Sequence, residues 1–405
     1  MKRRWMRGAV ALLAVTLVAA GCGSADDEDD SSGGGGDGGG GDTSSEGFEL
    51  ACSDTPPEVE GTTDVSLQLQ WVTQAQFAGY FAAVDQGFYE EHGLNVDIVE
   101  GGVDIVPQTQ LADGAVDFAI AWVPKALQSI EGGANITNIS QPFQRSGTLQ
   151  VSWADAGIST AADLEGKNVG NWGFGNEFEL FAGMTEAGLD PASDVTLVQQ
   201  QFDMQALLNK EIDAAQAMTY NEYAQVLEAV NPDTGELYTE DDFSVINWND
   251  EGTAMLQDAI WANTEQLGSD QEYCDNAVRF VAASLEGWAF CRDNPDECVS
   301  SVLDAGSELG ESHQAWQMNE INKLIWPSPE AGAGTVETEA WDQTVEISLN
   351  TNNADGTTVI TEDPPESAYT AEINEAAVTL LTDADVDVVG ADFEPTEVEL
   401  QEGGA

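Results

Sequence analysis

Short apolar stretches alternate with helical patterns along most of the chain, beginning near Val65. Residues 65–72 (VSLQLQWV) alternate apolar and polar positions with a period of two, which predicts a half-buried strand. Residues 77–93 (FAGYFAAVDQGFYEEHG) have apolar positions at helical spacing and end at a glycine, which predicts one helix. Alternation of this kind is typical of an α/β fold.

The same alternation continues toward residue 291. Further strands are predicted for LNVDIVEGG, DFAIAW, VGNW, DVTLVQQ, IDAAQAM and DAIWAN. Further helices are predicted for PQTQLADGAV, GFGNEFELFAGMTEAG and FDMQALLNKE, and a long amphipathic helix is predicted over residues 273–291. No solenoid or propeller-blade period is present. We therefore expect helices interleaved with strands rather than a repeat architecture.

The N-terminus has the pattern of an export signal. Residues 1–7 (MKRRWMR) are basic, and the apolar run over residues 8–20 is too short for a comfortable membrane span. The run ends in LVAAGC, which resembles a bacterial lipoprotein signal in which Cys22 is lipidated and becomes the first mature residue. We therefore expect a signal peptide over 1–21, a Gly/Asp/Ser-rich linker over 22–61, and an extracytoplasmic protein anchored to the membrane.

Four cysteines remain beyond the lipidation signal, and an even number in an exported protein favours disulfides over metal ligands. Three pairings are possible. The segment CRDNPDEC turns through Asn-Pro and can bring its ends together, which favours Cys291–Cys298 and leaves Cys52–Cys274. We expect these bonds to be structural.

The charge balance is extreme, because 74 acidic residues stand against 11 basic ones in 405 residues, for a formal net charge of −63. A nucleic-acid partner or an anionic lipid surface would need a basic stripe, so both are excluded. We interpret the acidic surface as an adaptation to high salt, where charges are screened over short distances. EF-hand spacing is absent from the sequence, and we expect neither a metal nor a cofactor.

Four segments together resemble a known family: GYFAAVDQGFYEEHGLNVDIVEGG, LADGAVDFAIA, GISTAADLEGKNVG and KEIDAAQA. In this order they are similar to substrate-binding proteins of ABC importers, in the branch that handles thiamine-pyrimidine precursors, riboflavin, alkanesulfonates and nitrate. The resemblance implies the periplasmic-binding-protein type II fold, with two α/β lobes and two hinge crossovers that close over a ligand. It also implies a monomer whose partners are a small molecule, an ABC permease and its ATPase.

By the same resemblance, lobe 1 comprises residues 62–152 and 254–330, and lobe 2 comprises 153–253. Residues 331–405 are expected to pack on lobe 1 without contributing chemistry. Thiamine-precursor binders carry a Trp-x-Pro-Asn-x-x-His-like stretch after the first strand. Here Trp71 and the pair Gly79-Tyr80 persist, whereas the Pro-Asn and the histidine do not. The identity of the ligand is therefore left open.

Ligands of open α/β sheets bind beyond the carboxyl ends of strands, and four such positions supply candidate binding residues. They are Trp71, Gln76 and Tyr80; Trp122; Trp172, Gly173, Gly175, Asn176 and Glu177; and Tyr220 and Asn221. Each set has a structural alternative. A tryptophan on a strand is often a core residue, Asn176 with Glu179 has capping-box spacing, and the segment after Met218 also fits a helix cap.

The candidate residues favour a flat heterocycle, because aromatic faces stack on rings and Glu177 in a first helical turn disfavours an anion. A sulfonate or nitrate binder is the alternative, with Arg145 either clamping the anion or pairing with an acidic side chain. A related pyrimidine-precursor synthase is a second alternative. Its class uses a cysteine-rich stretch and a histidine, whereas here His92 and His313 lie away from predicted strand ends and Lys125 has the pattern of a structural residue. We therefore expect a binding protein rather than an enzyme.

Overall fold

The computed structural model describes residues 48–53, 56 and 61–404. The expected signal peptide, the lipidation site Cys22 and most of the expected linker lie outside these residues. The described residues form ten strands: β1 (Thr63–Gln68), β2 (Leu94–Val99), β3 (Phe118–Trp122), β4 (Ile136–Ser140), β5 (Thr148–Trp153), β6 (Asn168–Asn171), β7 (Thr196–Gln199), β8 (Ala214–Met218), β9 (Phe243–Asn247) and β10 (Asp258–Asn263).

Fourteen α-helices lie between and after the strands of the described chain. They are α1 (Ala78–Asp85), α2 (Phe88–Glu91), α3 (Pro107–Ala112), α4 (Val123–Glu131), α5 (Phe178–Glu186), α6 (Gln205–Leu208), α7 (Glu222–Leu227), α8 (Trp248–Glu251), α9 (Thr264–Ser269), α10 (Gln271–Asp293), α11 (Pro295–Asp304), α12 (Glu311–Ile325), α13 (Thr338–Asn350) and α14 (Glu372–Asp383). The single helix predicted over 77–93 is two helices, because Gly87 adopts a left-handed conformation between them (φ 82°).

The strands form two five-stranded sheets. The order in the first sheet is β2-β1-β3-β10-β4, and the order in the second is β7-β6-β8-β5-β9. Each sheet contains one strand antiparallel to its neighbours, β10 in the first and β5 in the second. The predicted α/β fold with two hinge crossovers is confirmed by this arrangement of strands and helices.

Helix α10 packs against α1 in the largest core cluster, which covers one face of the first sheet. The indole ring of Trp288 occupies the space that a Cβ atom of Gly79 would need, so the glycine permits the two helices to approach. Tyr80 is buried beside it and meets Trp288 edge to face, with ring centroids 5.6 Å apart. The Gly79-Tyr80 pair is therefore a packing feature of this helix pair.

Two crossovers connect the sheets, at residues 141–147 and 252–257. They are bonded to each other, since the Gly147 N–H donates to Oε1 of Gln257 at 2.8 Å. The buried Glu179 carboxylate on α5 joins both: it accepts from the Ser146 hydroxyl at 2.9 Å and from the Met255 N–H at 2.6 Å. Burial raises the pKa of Glu179 to about 7.

The N-terminal segment attaches earlier than expected, because residues 48–53 belong to the folded body rather than to a free linker. The Ala51 N–H donates to the Leu267 carbonyl at 2.8 Å, and Cys52 forms a disulfide with Cys274 on α10. A second disulfide joins Cys291 and Cys298. The described part of the linker is therefore fastened to α9 and α10.

The C-terminal residues contact helices or strands of both sheets' layers, which adds to the expected packing on lobe 1. Helix α14 contacts α10 and β4, whereas α13 contacts both α4 and α5. Leu400 packs against the core cluster of the second sheet, which includes residues of β5. In the part of the chain that the structure describes, no helix is long and apolar enough to cross a bilayer.

Candidate functional site

A cavity of about 510 Å³ lies between the two sheets. All but one of its lining residues, Asn353, follow the carboxyl ends of six strands, namely β1, β2 and β3 of the first sheet and β6, β7 and β8 of the second. This is where open α/β sheets bind ligands, because several strand ends and helix starts converge there. We call the lining that follows β1, β2 and β3 the first wall and the lining that follows β6, β7 and β8 the second wall.

The first wall is rich in glutamine. Gln74 donates to Oε1 of Gln76 at 2.7 Å, and Gln76 in turn donates to the buried carboxylate of Asp258 at 2.8 Å. Gln70 donates to the other oxygen of Asp258. Burial raises the pKa of Asp258 to about 7, against the stabilising hydrogen bond from Gln76. The amides of this wall are thus fixed from behind by one buried acid.

Lys125 begins the first turn of α4 and reaches toward the second wall. Its ammonium group donates to Oδ1 of Asn176 at 2.7 Å and lies 4.9 Å from the ring centroid of Trp122. Burial lowers the pKa of Lys125 to about 8, while nearby Glu177 and Asp258 act in the opposite direction. Lys125, which has the pattern of a structural residue in the sequence, therefore also lines the cavity.

Aromatic rings of the second wall pack on each other and contact a ring of the first wall. Phe202, which follows β7, stacks on Trp172 with ring centroids 6.2 Å apart and planes within 18°. The same ring contacts Trp71 of the first wall at 4.7 Å. The indole Nε1 of Trp172 is buried and has no hydrogen-bond partner among the described residues. These three rings offer flat faces to a ligand at the junction of the walls.

The loop between β6 and α5 brings a carboxylate and an exposed aromatic ring to the cavity. Phe174 is 74% exposed and has a left-handed backbone (φ 56°) between two glycines that share this conformation. Glu177 precedes α5, accepts from the Gly175 N–H at 3.1 Å, and has a pKa raised by burial. The alternative of an Asn176–Glu179 capping box is wrong, because Glu179 instead bonds to the crossovers and Asn176 binds Lys125.

A chain of four buried side chains supports the second wall after β8. Glu222 accepts from the Met218 N–H at 3.0 Å and from Nδ2 of Asn221 at 2.9 Å. Nε2 of His313 lies 2.9 Å from Oδ1 of Asn221, and its Nδ1 lies 3.0 Å from a Glu228 oxygen. Burial raises the pKa of Glu222. His313 therefore supports a wall residue although its own helix, α12, is remote in sequence.

Most of the candidate binding residues line this one cavity: Trp71, Gln76, Trp122, Trp172, Gly175, Asn176, Glu177, Tyr220 and Asn221. Tyr80 does not, because it is buried against Trp288, and Gly173 lies beside the lining without joining it. Arg145 does not line the cavity, and within the described residues it makes no salt bridge, although the charge of Glu337 acts on it. Its guanidinium donates to the carbonyl oxygens of Lys323, Leu324 and Pro327. Which of the lining residues contact a ligand stays a prediction.

Several lining residues escape the sequence analysis. Phe202 follows a predicted strand, so the strand-end rule that selects Trp122 also applies to it. Glu222 lies one residue beyond the predicted pair Tyr220 and Asn221. Asn353 gives no such signal, because it belongs to the C-terminal residues and reaches the cavity only through the packing of α13. In the described chain, no group of His, Cys, Asp and Glu has an arrangement that could hold a metal ion.

Most of the site lies within the segment that a family model matches. The model described as "NMT1/THI5 like" matches residues 74–298, more than half of the chain. The protein is a member of the NMT1/THI5-like family. The match ends before α12, so the C-terminal residues that contribute Asn353 lie outside it.

Three relatives of this NMT1/THI5-like chain are two binding proteins and one synthase. A formylaminopyrimidine-binding protein of Halalkalibacterium halodurans is 22% identical over 72% of this chain and 87% of its own length. The riboflavin-binding protein RibY of Chloroflexus aurantiacus is 24% identical over 70% of this chain and 79% of its own length. A 4-amino-5-hydroxymethyl-2-methylpyrimidine phosphate synthase of Schizosaccharomyces pombe is 24% identical over 38% of this chain and 44% of its own length.

A solved structure gives the same fold at lower sequence similarity. The alkanesulfonate-binding protein SsuA from Xanthomonas axonopodis pv. citri, bound to MOPS, superposes with a TM-score of 0.56 at 12% identity. The superposition covers 77% of this chain and all of that one. The NMT1/THI5-like chain therefore has the periplasmic-binding-protein fold that its sequence motifs imply.

Proposed function

We propose that the protein is an extracytoplasmic solute-binding lipoprotein of an ABC importer, and that it captures a small flat heterocycle such as a thiamine-pyrimidine precursor or riboflavin. The observation that carries the proposal is the cavity between the sheets, where the rings of Trp71, Trp172 and Phe202 adjoin the amides of the first wall. Rings provide faces for stacking, and amides pair with the polar edge of a heterocycle. Two relatives that bind such compounds support the choice of ligand class.

The charges of the cavity favour a neutral or cationic ligand. Glu177 and Glu222 belong to the second wall, and Asp258 lies behind the first. Lys125 is the only basic residue among the described residues that line the cavity, and its ammonium group already binds Asn176 and faces Trp122. A free anion would therefore meet more negative than positive groups. A sulfonate or nitrate ligand remains the second candidate, because Lys125 could be redirected to it.

Isothermal titration calorimetry in molar salt tests the proposal with thiamine precursors, riboflavin, nucleobases, taurine and nitrate. We expect one of the ring compounds to bind, and we expect Trp172→Ala to weaken that binding about ten-fold or more through lost burial and stacking. Taurine or nitrate binding that survives Trp172→Ala and disappears in Lys125→Gln would establish the anion function instead. Conversion of a ring compound by the purified protein alone would favour the synthase alternative.

The membrane anchor is a separate part of the proposal. It rests on the LVAAGC sequence around Cys22 and on two disulfides, which suit an oxidising compartment. Mass spectrometry of the protein from its native membrane would detect a lipidated cysteine at the mature N-terminus. A Cys22→Ala variant should leave the membrane fraction while binding the same ring compounds.

Delivery to a permease needs its own test. If a permease and an ATPase are encoded beside this gene, vesicles that contain them should take up the bound compound only when this protein is added. A genome neighbourhood without those two components, together with no uptake, would contradict the importer assignment but leave ring binding intact.

A further inference from the structure

The cavity extends along α4 beyond the region where the aromatic rings meet. Its lining includes Lys125 and also Gln128 and Ser129, which lie about one helical turn farther along the same helix. Helix α4 contacts α3, which carries Gln108, and α13, which precedes Asn353. We call the lining formed by Gln108, Gln128, Ser129 and Asn353 the α4 arm, and we separate it from the first wall, whose amides are those of Gln70, Gln74 and Gln76.

A compact turn holds Asn353 in place. The Asn353 N–H donates to the Thr357 carbonyl at 2.6 Å, and Asn352 and Thr358 form an antiparallel bridge. Asp355 accepts from the Thr357 N–H at 3.0 Å, which closes the turn from inside. The side chain of Asn353 is therefore presented to the cavity by a backbone that is already hydrogen-bonded.

Two amide oxygens of the α4 arm are buried without a hydrogen-bond partner among the described residues. They are Oε1 of Gln108, whose side chain is almost fully buried, and Oδ1 of Asn353. Buried polar atoms are paired in most folded proteins, because an unpaired one loses its bond to water. Both atoms are acceptors, so the group that suits them is one that donates hydrogen bonds.

We propose that the α4 arm is a subsite for a hydrogen-bond-donating substituent of the ring ligand, such as a hydroxylated or amino-bearing chain. This proposal rests on the proposed function, since it places the ring at Trp71, Phe202 and Trp172 and its substituent in the arm. Asn353 lies outside the segment that the family model matches. The C-terminal residues of this chain therefore help to select the substituent of the ligand.

The test compares ring compounds that differ only in the substituent. Riboflavin carries a hydroxylated chain that lumiflavin replaces with a methyl group, and 4-amino-5-aminomethyl-2-methylpyrimidine differs in the same way from 4-amino-2,5-dimethylpyrimidine. Affinities are measured by calorimetry on the full secreted chain in molar salt. We expect the wild type to prefer the substituted member of at least one pair by about ten-fold or more, as a few added hydrogen bonds would give.

Asn353→Ala and Gln108→Met should each reduce that preference at least three-fold and change the affinity for the unsubstituted ring less than two-fold. Asn352→Ala is the matched control, since it removes an exposed amide from the same turn. Three outcomes would overturn the proposal for the α4 arm. They are an equal loss of affinity for both members of a pair, an equal effect of Asn352→Ala, and no preference in the wild type. Failure of every ring compound to bind would overturn the proposed function together with it, and a melting curve shows that each variant is folded.

Discussion

The two walls of the cavity differ in chemistry although they follow equivalent strand ends of similar sheets. Both walls present aromatic rings, but the first wall adds neutral amides and the ammonium group of Lys125. Its buried acid, Asp258, is held behind Gln70 and Gln76. The second wall presents aromatic rings and the carboxylates of Glu177 and Glu222. The difference indicates a division of roles, in which one wall pairs with the polar edge of a ring and the other binds its face and any positive charge.

This division has a physical basis in what each wall can hold in place. Amides need partners on one side to leave the other side aimed at the cavity, and Asp258 supplies them. Rings need only contact, which Phe202 makes with tryptophans from both walls. The walls can therefore be tested separately, by changes that should damage one wall and spare the other.

The largest expected effect comes from lowering the salt concentration, which should destabilise the whole fold and with it both walls. With 74 acidic and 11 basic residues, repulsion is screened over about 3 Å at 1 M salt and over about 10 Å at 0.1 M. We expect Tm, followed by circular dichroism, to fall steeply from 3 M to 0.05 M NaCl. A neutral osmolyte should not restore Tm in place of the salt. A Tm that is constant over this range would show that the acidic surface does not govern stability.

Phe202→Ala should give the next largest effect, because its ring contacts both Trp71 and Trp172. Loss of about 1.5–3 kcal/mol of apolar burial corresponds to roughly 10- to 150-fold weaker ring binding in calorimetry. Phe88→Ala is the control, since that ring packs on Phe290 away from the cavity. If both variants bind equally well, stacking on the second wall is not what holds the ring.

Glu222→Gln should separate cationic from neutral ligands. A hydrogen bond to a charged group contributes about 1.5–3 kcal/mol, against about 1 kcal/mol for a neutral one. We therefore expect roughly ten-fold weaker binding of an aminomethylpyrimidine cation and less than three-fold weaker binding of riboflavin. The exposed Glu236→Gln variant provides the matched control. Equal losses for both ligands would mean that Glu222 only supports the fold of this wall.

The pH dependence of stability should show the smallest effect and report on two buried acids, one behind the first wall and one at the crossovers. Folding raises the pKa of Asp258 and of Glu179 to about 7, so each group stabilises the fold most below its unfolded pKa near 4. That contribution is lost as the pH rises through 7, at roughly 1.4 kcal/mol for each group between pH 6 and 8. In 3 M NaCl we expect Tm to fall by a few degrees over this interval.

Variants assign that pH dependence to the first wall or to the crossovers. Asp258→Asn and Glu179→Gln should each remove a large part of the pH dependence, whereas an exposed change such as Glu236→Gln should leave it intact. A slope that neither variant alters would show that other groups cause it. If Asp258→Asn alone also weakens ring binding, the buried acid behind the first wall is needed to hold Gln70 and Gln76.

The sequence predicted the site where a local rule applied and failed where distant packing decided. Trp122 and Trp172 follow strands and line the cavity, and Phe202 satisfies the same rule although it was not selected. Lys125 lies one helical turn from Trp122, yet its contact with Asn176 depends on the second sheet. Asn353 could not be predicted, because nothing in its local sequence marks the packing of α13 against α4.

The fold shows the same contrast. Strands with continuous apolar runs, such as β3, were predicted, but β4, β5 and β9 were not. In β5 the polar residues Gln150 and Ser152 are as buried as Leu149 and Val151. The side-chain amide nitrogen of Gln150 donates to the Gly170 carbonyl at 3.0 Å, so burial on that face depends on a partner from another strand. A pattern of alternating polarity cannot reveal such a strand as fully buried.

The disulfide between Cys52 and Cys274 determines how the folded body would respond to a pulling force. A tension applied to the chain ahead of Cys52 passes through the sulfur atoms into α10, the longest helix described, which packs in the main core. Strand β1 lies between β2 and β3, and it begins after Cys52 in the chain. While the bond is intact, β1 therefore bears none of the load. Reduction would transfer that tension directly to β1 and to the hydrogen bonds that hold the first sheet together.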